Sequence, residues 1–268
     1  MNKQDHAQAL LGSARDALPK IEDLYNGSLA EKELDSQLLI QIKNLLENLR
    51  SALDYVARDV FERFCTPPEG GKTIPVYFPI LRRTATPQDF SNFANGRFPG
   101  LRENARTLYD CLESYQVYKS PENEWLVQFN ELCQENKHEH LSPQTRREEK
   151  QTQFSDKSGG SVSWNEGVYF GPGGRIVFKP GGKLSFGRGG SVGFGKSGVR
   201  IMGRPVDPQA QAPVPDPESA LRRVVWVDFR FDALGVSAFP FLRTCLAKVA
   251  GIMEAVRGAA DEMKKEMG

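Results

Sequence analysis

Four residues of this 268-residue chain have the types and spacing for acid–base chemistry. His138 and His140 end the segment Glu135-Asn-Lys-His-Glu-His140, and Arg50 and Asp54 stand four residues apart beside an apolar stripe. If both segments are helices, Asn136 and His140 share the face continued from Phe129 and Cys133. They can then meet Arg50, Asp54 and Arg58 across a helix pair, as a metal-independent general acid–base site. The histidines also have a purely structural reading, because a helix C-terminus favours cations. A shared metal fits poorly: residues two apart point about 200° away from each other on a helix, and a third ligand is not evident. His6, the third histidine, lies close to the N-terminus. The chain has no Walker loop, GxSxG, HExxH or dinucleotide fingerprint, so no cofactor is expected.

A second constellation lies in an eight-residue repeat over residues 162–202. Phe170, Phe178, Phe186 and Phe194 recur in step, with Met202 next, and Val168, Ile176, Leu184 and Val192 stand two residues earlier. Apolar alternation between glycine-rich turns predicts strands, and three-residue turns predict an antiparallel meander. Lys179-Pro-Gly181 as a turn sets Phe178 opposite Gly182 and Ile176 opposite Leu184; Gly187-Arg-Gly189 sets Phe186 opposite Gly190. Asn165-Glu-Gly167 likewise pairs Trp164 with Val168 and Val162 with Phe170. This reading collects Val162, Trp164, Val168, Phe170, Ile176, Phe178, Leu184, Phe186, Val192 and Phe194 on one side. A solenoid of eight-residue rungs gives the same period, but a three-residue link suits a hairpin better than a parallel crossover. The apolar face needs a cover: the C-terminal helix, the N-terminal bundle or a second copy of the chain. The opposite face, with Arg175, Val177, Lys183, Ser185, Ser191 and Gly193, is expected to be wet.

Residues 157–204 hold eight cations and a single acid, Glu166, although the whole chain has a net charge of only +1. A basic module is therefore joined to an acidic remainder. Arg175, Lys179, Lys183, Arg188, Lys196, Arg200 and Arg204 form the candidate anion-binding set. Such asymmetry points to nucleic acid or another anionic partner such as a lipid head group. The same charges also serve solubility and keep sheet edges from aggregating.

The elements that must position these groups are legible from periodicity. A first helix is expected over residues 4–25, ended by Asn26-Gly27, with Ser28 and Glu31 capping a long second helix over about 29–64. Leu38, Ile42, Leu45, Leu49, Leu53, Val56, Val60 and Phe64 stripe that helix. Prolines make residues 73–81 extended but not a central strand. Further helices are expected from Pro87, from Pro99 to Tyr118, and from Pro121 to His140. Residues 221–231 alternate as a strand, and an amphipathic helix follows from about Ser237. The expected class is α+β: a helical bundle over 1–142, a charged linker over 143–160 and the octapeptide meander over 161–204. A Pro-rich connector over 205–219 and a strand plus helix over 220–268 complete it. No apolar run approaches the roughly 20 residues of a membrane span, and the N-terminus lacks an apolar signal region. Cys65, Cys111, Cys133 and Cys245 lack metal-ligand spacing and read as reduced thiols of a cytoplasmic protein.

Leu49-Arg-Ser-Ala-Leu-Asp-Tyr-Val-Ala57, followed by Leu132-Cys-Gln-Glu-Asn-Lys-His138, resembles a group of uncharacterised bacterial proteins. Those share an LRSALD helix, a later helix ending in KHR, a β-rich middle, and a C-terminal strand and helix. Glu139 stands here where the group usually has Arg. The helical part also resembles HEPN domains, bundles that often act as ribonucleases in toxin and defence systems; the helix expected from Pro121 to His140 holds no Arg-x4–6-His motif of those nucleases. Three readings follow. One is a non-enzymatic protein binding nucleic acid or another anion through the basic β-surface. Another is a HEPN-like ribonuclease using His138, His140, Arg50 and Asp54. The last is an assembly protein whose apolar sheet stacks on a second copy.

Overall fold

The computed structural model describes the chain apart from residues 1, 31–33, 67–72, 139–140, 142–143, 196–197 and 268, and the side chains of residues 30, 137, 138, 149, 224–227, 266 and 267. It has an N-terminal helical part, a run of antiparallel strands and a C-terminal helix. Two compact units divide the chain: residues 1–146 with 229–268, and residues 147–228. The chain crosses from one unit to the other inside β1 (Gln144–Asp156) and returns inside β10 (Ser219–Phe231), which are neighbours in one sheet.

In the first unit α1 (Lys3–Ala30) and α2 (Ser36–Phe64) are an antiparallel pair. Gln4 donates to Asp59 at 3.0 Å near one end, and Asn48 donates to Ser13 at 3.3 Å further along. The α1 helix runs unbroken through Pro19 and Asn26-Gly27, where the sequence predicts an end. Its buried stripe of Ala7, Leu11, Ala14, Ile21, Tyr25 and Ser28 explains this, because packing outweighs helix penalties of about 1 kcal/mol for Gly and about 3 kcal/mol for Pro. The expected Ser28 cap is thus inside a helix, and Glu31 lies outside the described residues. Asp35 caps α2 instead, accepting from the Gln37 N–H at 2.8 Å. The predicted stripe of α2 is buried along its length.

Helix α3 (Pro87–Arg97) starts with a reciprocal Thr86–Asp89 capping box. The single helix expected over 99–118 is two, α4 (Leu101–Asn104) and α5 (Arg106–Ser114), broken at the buried Ala105. The break leaves Asn104 placed to donate to the Phe64 carbonyl at 3.1 Å, a partner for one of the last carbonyls of α2. A one-turn 3-10 helix (Pro121–Asn123) leads into α6 (Glu124–His138). Helix α7 (Ala238–Met267) buries Leu242, Cys245, Val249, Ile252, Met253 and Val256 in the core it shares with α1, α2, α5 and α6.

The second unit holds β2 (Ser161–Asn165), β3 (Val168–Gly171), β4 (Arg175–Phe178), β5 (Leu184–Phe186), β6 (Val192–Gly195), β7 (Gly198–Ile201), β8 (Arg204–Asp207) and β9 (Ala212–Pro213). The charged stretch expected as a linker is β1. It pairs with β2 through Phe154↔Val162 and Thr152↔Trp164, with the Phe154 ring buried. The expected Pro-rich connector likewise contains the β8–β9 hairpin. Pro205 is in β8 and Pro213 in β9, the end strand of its sheet, where a missing N–H is tolerated.

The strands are antiparallel as expected, and the first two octads pair as a hairpin, β3 with β4, but β4, β5 and β6 do not pair with one another. Among the described residues β4 pairs with β3, β5 with β2 and β6 with β7. Phe178 therefore faces Val168 and not Gly182, Ile176 faces Phe170, Leu184 faces Trp164, and Phe186 faces Val162. The glycine turns explain the difference. Gly182 N–H donates to Lys179 O at 2.8 Å and Gly190 N–H to Gly187 O at 3.0 Å, and Gly181 and Gly189 hold φ of 80° and 71°, as the third position of a type II turn requires. Each turn is absorbed as a bulge. On either side of the first, Lys179 N–H donates to Gly167 O at 2.8 Å and Asn165 N–H to Lys183 O at 3.1 Å, so the ladder resumes beyond it. The Asn165 side chain pins the bulge, donating to Gly181 O at 2.9 Å and accepting from Lys183 N–H at 2.8 Å.

The expected parity survives this change of partners, since residues facing each other across a ladder lie on one side. Val162, Trp164, Val168 and Phe170 are buried, and Ile176, Leu184 and Val192 are packed against them. Phe154 of β1, Val199 and Ile201 of β7, Val206 of β8 and Ala212 of β9 close the core from within the same unit.

Candidate nucleic-acid interface

That internal closure buries Phe170 but stops short of the three later rings of the repeat. Phe178 and Phe186 are each 55% exposed and Phe194 is 66% exposed. Every one of these rings is followed within two residues by a cation, Lys179, Arg188 or Lys196. Lys179 opens the first type II turn, and Arg188 takes the second position of the next. Glycine is needed beside them: a Cβ on Gly182 would lie 2.5 Å from Gly167 O, and one on Gly190 would lie 2.0 Å from Ser161 O.

The anion-binding candidates divide by what holds them. The side chains of Arg175, Lys179 and Arg188 are exposed and make no hydrogen bond or ion pair among the described residues. Lys183 is exposed at the pinned bulge. Lys196 lies outside the described residues. Arg200 donates from Nε to Gly203 O at 2.9 Å, closing the Met202-Gly203 turn between β7 and β8. Arg204 is half-buried and paired with Asp216. Burial works to raise the Asp216 carboxyl, yet hydrogen bonds from the Ser219 hydroxyl, Arg204 and the Glu218 N–H hold it below the usual carboxylate range. Arg200 and Arg204 are thus occupied in the fold, whereas Arg175, Lys179 and Arg188 are not engaged among the described residues.

Parity also places Tyr169 outward, between the buried Val168 and Phe170, and the ring is 44% exposed. It faces Val177 across the β3–β4 ladder. The alternation shows this, but a residue off the eight-residue period carries no signal of its own.

The acid–base candidates are differently disposed. Arg50 and Asp54 form an ion pair at 3.2 Å. Asp54 Oδ1 accepts from the Phe78 N–H at 2.9 Å, and Arg50 Nη2 donates to the Phe78 carbonyl at 3.4 Å. Both groups therefore hold the extended segment 73–81, whose other backbone groups also bond to side chains: Gln116 donates to Pro79 O at 2.9 Å and Arg97 to Pro75 O at 3.3 Å. Asp54 and Arg58 border an open cleft with Lys3, Ser51, Tyr55 and Val76. His138 is the last residue of α6, and its side chain and the whole of His140 lie outside the described residues. His6 stacks on Tyr55 with ring centroids 5.3 Å apart.

All four cysteines are free. Burial pushes the Cys65 thiol up to about 12 and raises that of Cys245 as well. Among the described residues no cluster of His, Cys, Asp and Glu is arranged to hold a metal ion, and no helix is long and apolar enough to cross a membrane. No protein-family model matches this sequence, and no curated protein or solved structure matches it.

Proposed function

We propose that this protein binds single-stranded nucleic acid, without catalysis, through the octapeptide strands. The observation that carries the reading is the exposure of Phe178, Phe186 and Phe194, each followed within two residues of the sequence by a cation. Exposed rings stack bases of any sequence, and cations beside them neutralise the phosphates between. A duplex hides its base faces, so rings of this kind favour a single strand over a double one. The ribonuclease reading has less support, because Arg50 and Asp54 are engaged with the backbone of Phe78.

The test is titration of a fluorescent 20-nucleotide oligouridylate over a range of salt concentrations. Binding should weaken as salt rises. Replacing Arg175, Lys179, Lys183 and Arg188 by Ser should reduce the magnitude of the log–log slope by roughly 0.7 for each phosphate that is no longer neutralised. Replacing the three Phe by Ser should weaken binding at least tenfold with little change in slope. No binding at low salt overturns the proposal. A concentration-dependent mass in light scattering that vanishes in the Phe variant, with no oligonucleotide bound, replaces it with self-assembly. Cleavage of the RNA, abolished in His138→Ala or His140→Ala, restores the ribonuclease reading.

A further inference from the structure

The second unit also contains a cleft of about 560 Å3, within the range of small-molecule sites. Lys150, Lys179 and Arg223 line it against one acid, Glu166, which Lys150 meets at 3.4 Å. The side chains of Lys179 and Arg223 make no ion pair or hydrogen bond among the described residues, so two uncompensated positive charges border the cavity. Tyr169 lends it an exposed aromatic ring, and Trp164, buried edge-on against Phe170 at 5.3 Å, forms part of the wall.

The cleft is built rather than incidental. Gln211, which lines it, has φ of 55°, a left-handed conformation unusual for a residue other than glycine. Its side chain acts as an extra strand partner for Phe170: Phe170 N–H donates to Oε1 at 2.7 Å, and Nε2 donates to Phe170 O at 3.1 Å. That bracket fixes the β3 backbone on which Tyr169 sits. The Asn165 side chain likewise fixes the bulge that begins at Lys179, through its bonds to Gly181 O and Lys183 N–H. The backbone under Tyr169 and the bulge that carries Lys179 are therefore held in place before any ligand arrives.

We infer that this cleft holds one nucleotide, its base against Tyr169 and its phosphate between Lys179 and Arg223. A neutral sugar has no use for the two charges, and inorganic phosphate has no use for the ring; a nucleoside monophosphate uses both. Lys179 follows Phe178 directly, so the cleft adjoins the first of the exposed rings. The inference rests on the nucleic-acid reading for its ligand class and adds to it a defined seat for one residue of the strand.

Isothermal titration of the full chain with adenosine 5′-monophosphate tests it, with adenosine and inorganic phosphate as separate arms. The monophosphate should bind at least tenfold more tightly than either fragment. Tyr169→Ala should weaken it about tenfold while Tyr169→Phe retains most of the affinity, and Lys179→Ser with Arg223→Ser should bring it down to the level of adenosine. Circular dichroism of each variant checks that the fold is kept, and Tyr169→Phe supplies the comparison should Tyr169→Ala not fold. Phosphate binding as tightly as the monophosphate, or monophosphate binding unchanged by Tyr169→Ala, overturns the inference. No heat with the monophosphate while the oligouridylate still binds overturns the cleft and leaves the role of the exposed Phe rings standing. If neither binds, both fall.

Discussion

Phe78 is the residue at which the strongest catalytic pair of the sequence turns out to have a structural task. Pro75 and Pro79 flank it and keep its segment out of any sheet, so its buried backbone must find partners among side chains. Asp54 takes the N–H and Arg50 the carbonyl. Asp54→Ala leaves that N–H without its acceptor and Arg50 without its counter-ion, and should cost about 1–3 kcal/mol in urea denaturation. Asp54→Asn keeps an acceptor oxygen and should cost clearly less. Equal stability of Asp54→Ala and the parent would remove the clamp and reopen an acid–base role. The four-residue spacing of Arg50 and Asp54 is enough to foresee that they meet. It does not show what they meet, because the partner is the backbone of a segment with no periodicity to place it. Parity marks the apolar side of the strands in the same incomplete way, without revealing that Phe178, Phe186 and Phe194 fall beyond the reach of the core.

At the scale of elements, alternation and strand pairing carry different information. Side-chain parity is local and legible in the sequence: Val162, Trp164, Val168 and Phe170 are inward as the two-residue period requires. Pairing depends on whether a turn reverses the chain or is taken up as a bulge, and Lys179-Pro-Gly-Gly182 spells a turn in both cases. Gln144–Asp156 reads as a linker for a related reason. Its charges suit solvent, and only the partner strand β2 gives Phe154 a core to enter. The helix continues through Gly27 and breaks at Ala105 because of burial against neighbouring helices, which no local pattern contains. The bulges make a direct prediction. Gly190→Ala drives a Cβ into the Ser161 carbonyl and should destabilise the second unit by about 1–3 kcal/mol. Gly193→Ala, only three residues away in β6, meets nothing within 4 Å and should be nearly neutral. Thermal melts followed by Trp fluorescence compare the two; equal melting temperatures would show that the backbones are not in close approach at Ser161.

For the whole molecule, the organising fact is that its two units have separate cores. Every residue of the larger core lies in 1–146 or 229–268, and every residue of the smaller core lies in 147–228. Charge follows the same division, since residues 147–228 hold twelve Lys and Arg against eight Asp and Glu, while the remainder is slightly acidic. The β-unit is an insertion into a helical protein: α7 completes a core begun by α1 and α2, so the helical part does not depend on the inserted strands for its apolar burial. Its points of exit and return are close as well, because β1 and β10 are neighbours in one sheet. Joining Arg146 to Phe229 through a short Gly-Ser linker should therefore give a helical protein that unfolds cooperatively. Circular dichroism should show α-helix without the strand contribution, and oligouridylate binding should disappear with the insertion. A molten product without a cooperative melt would show that the helical core needs the β-unit. Full oligonucleotide affinity in the shortened protein would move the binding surface onto the helices.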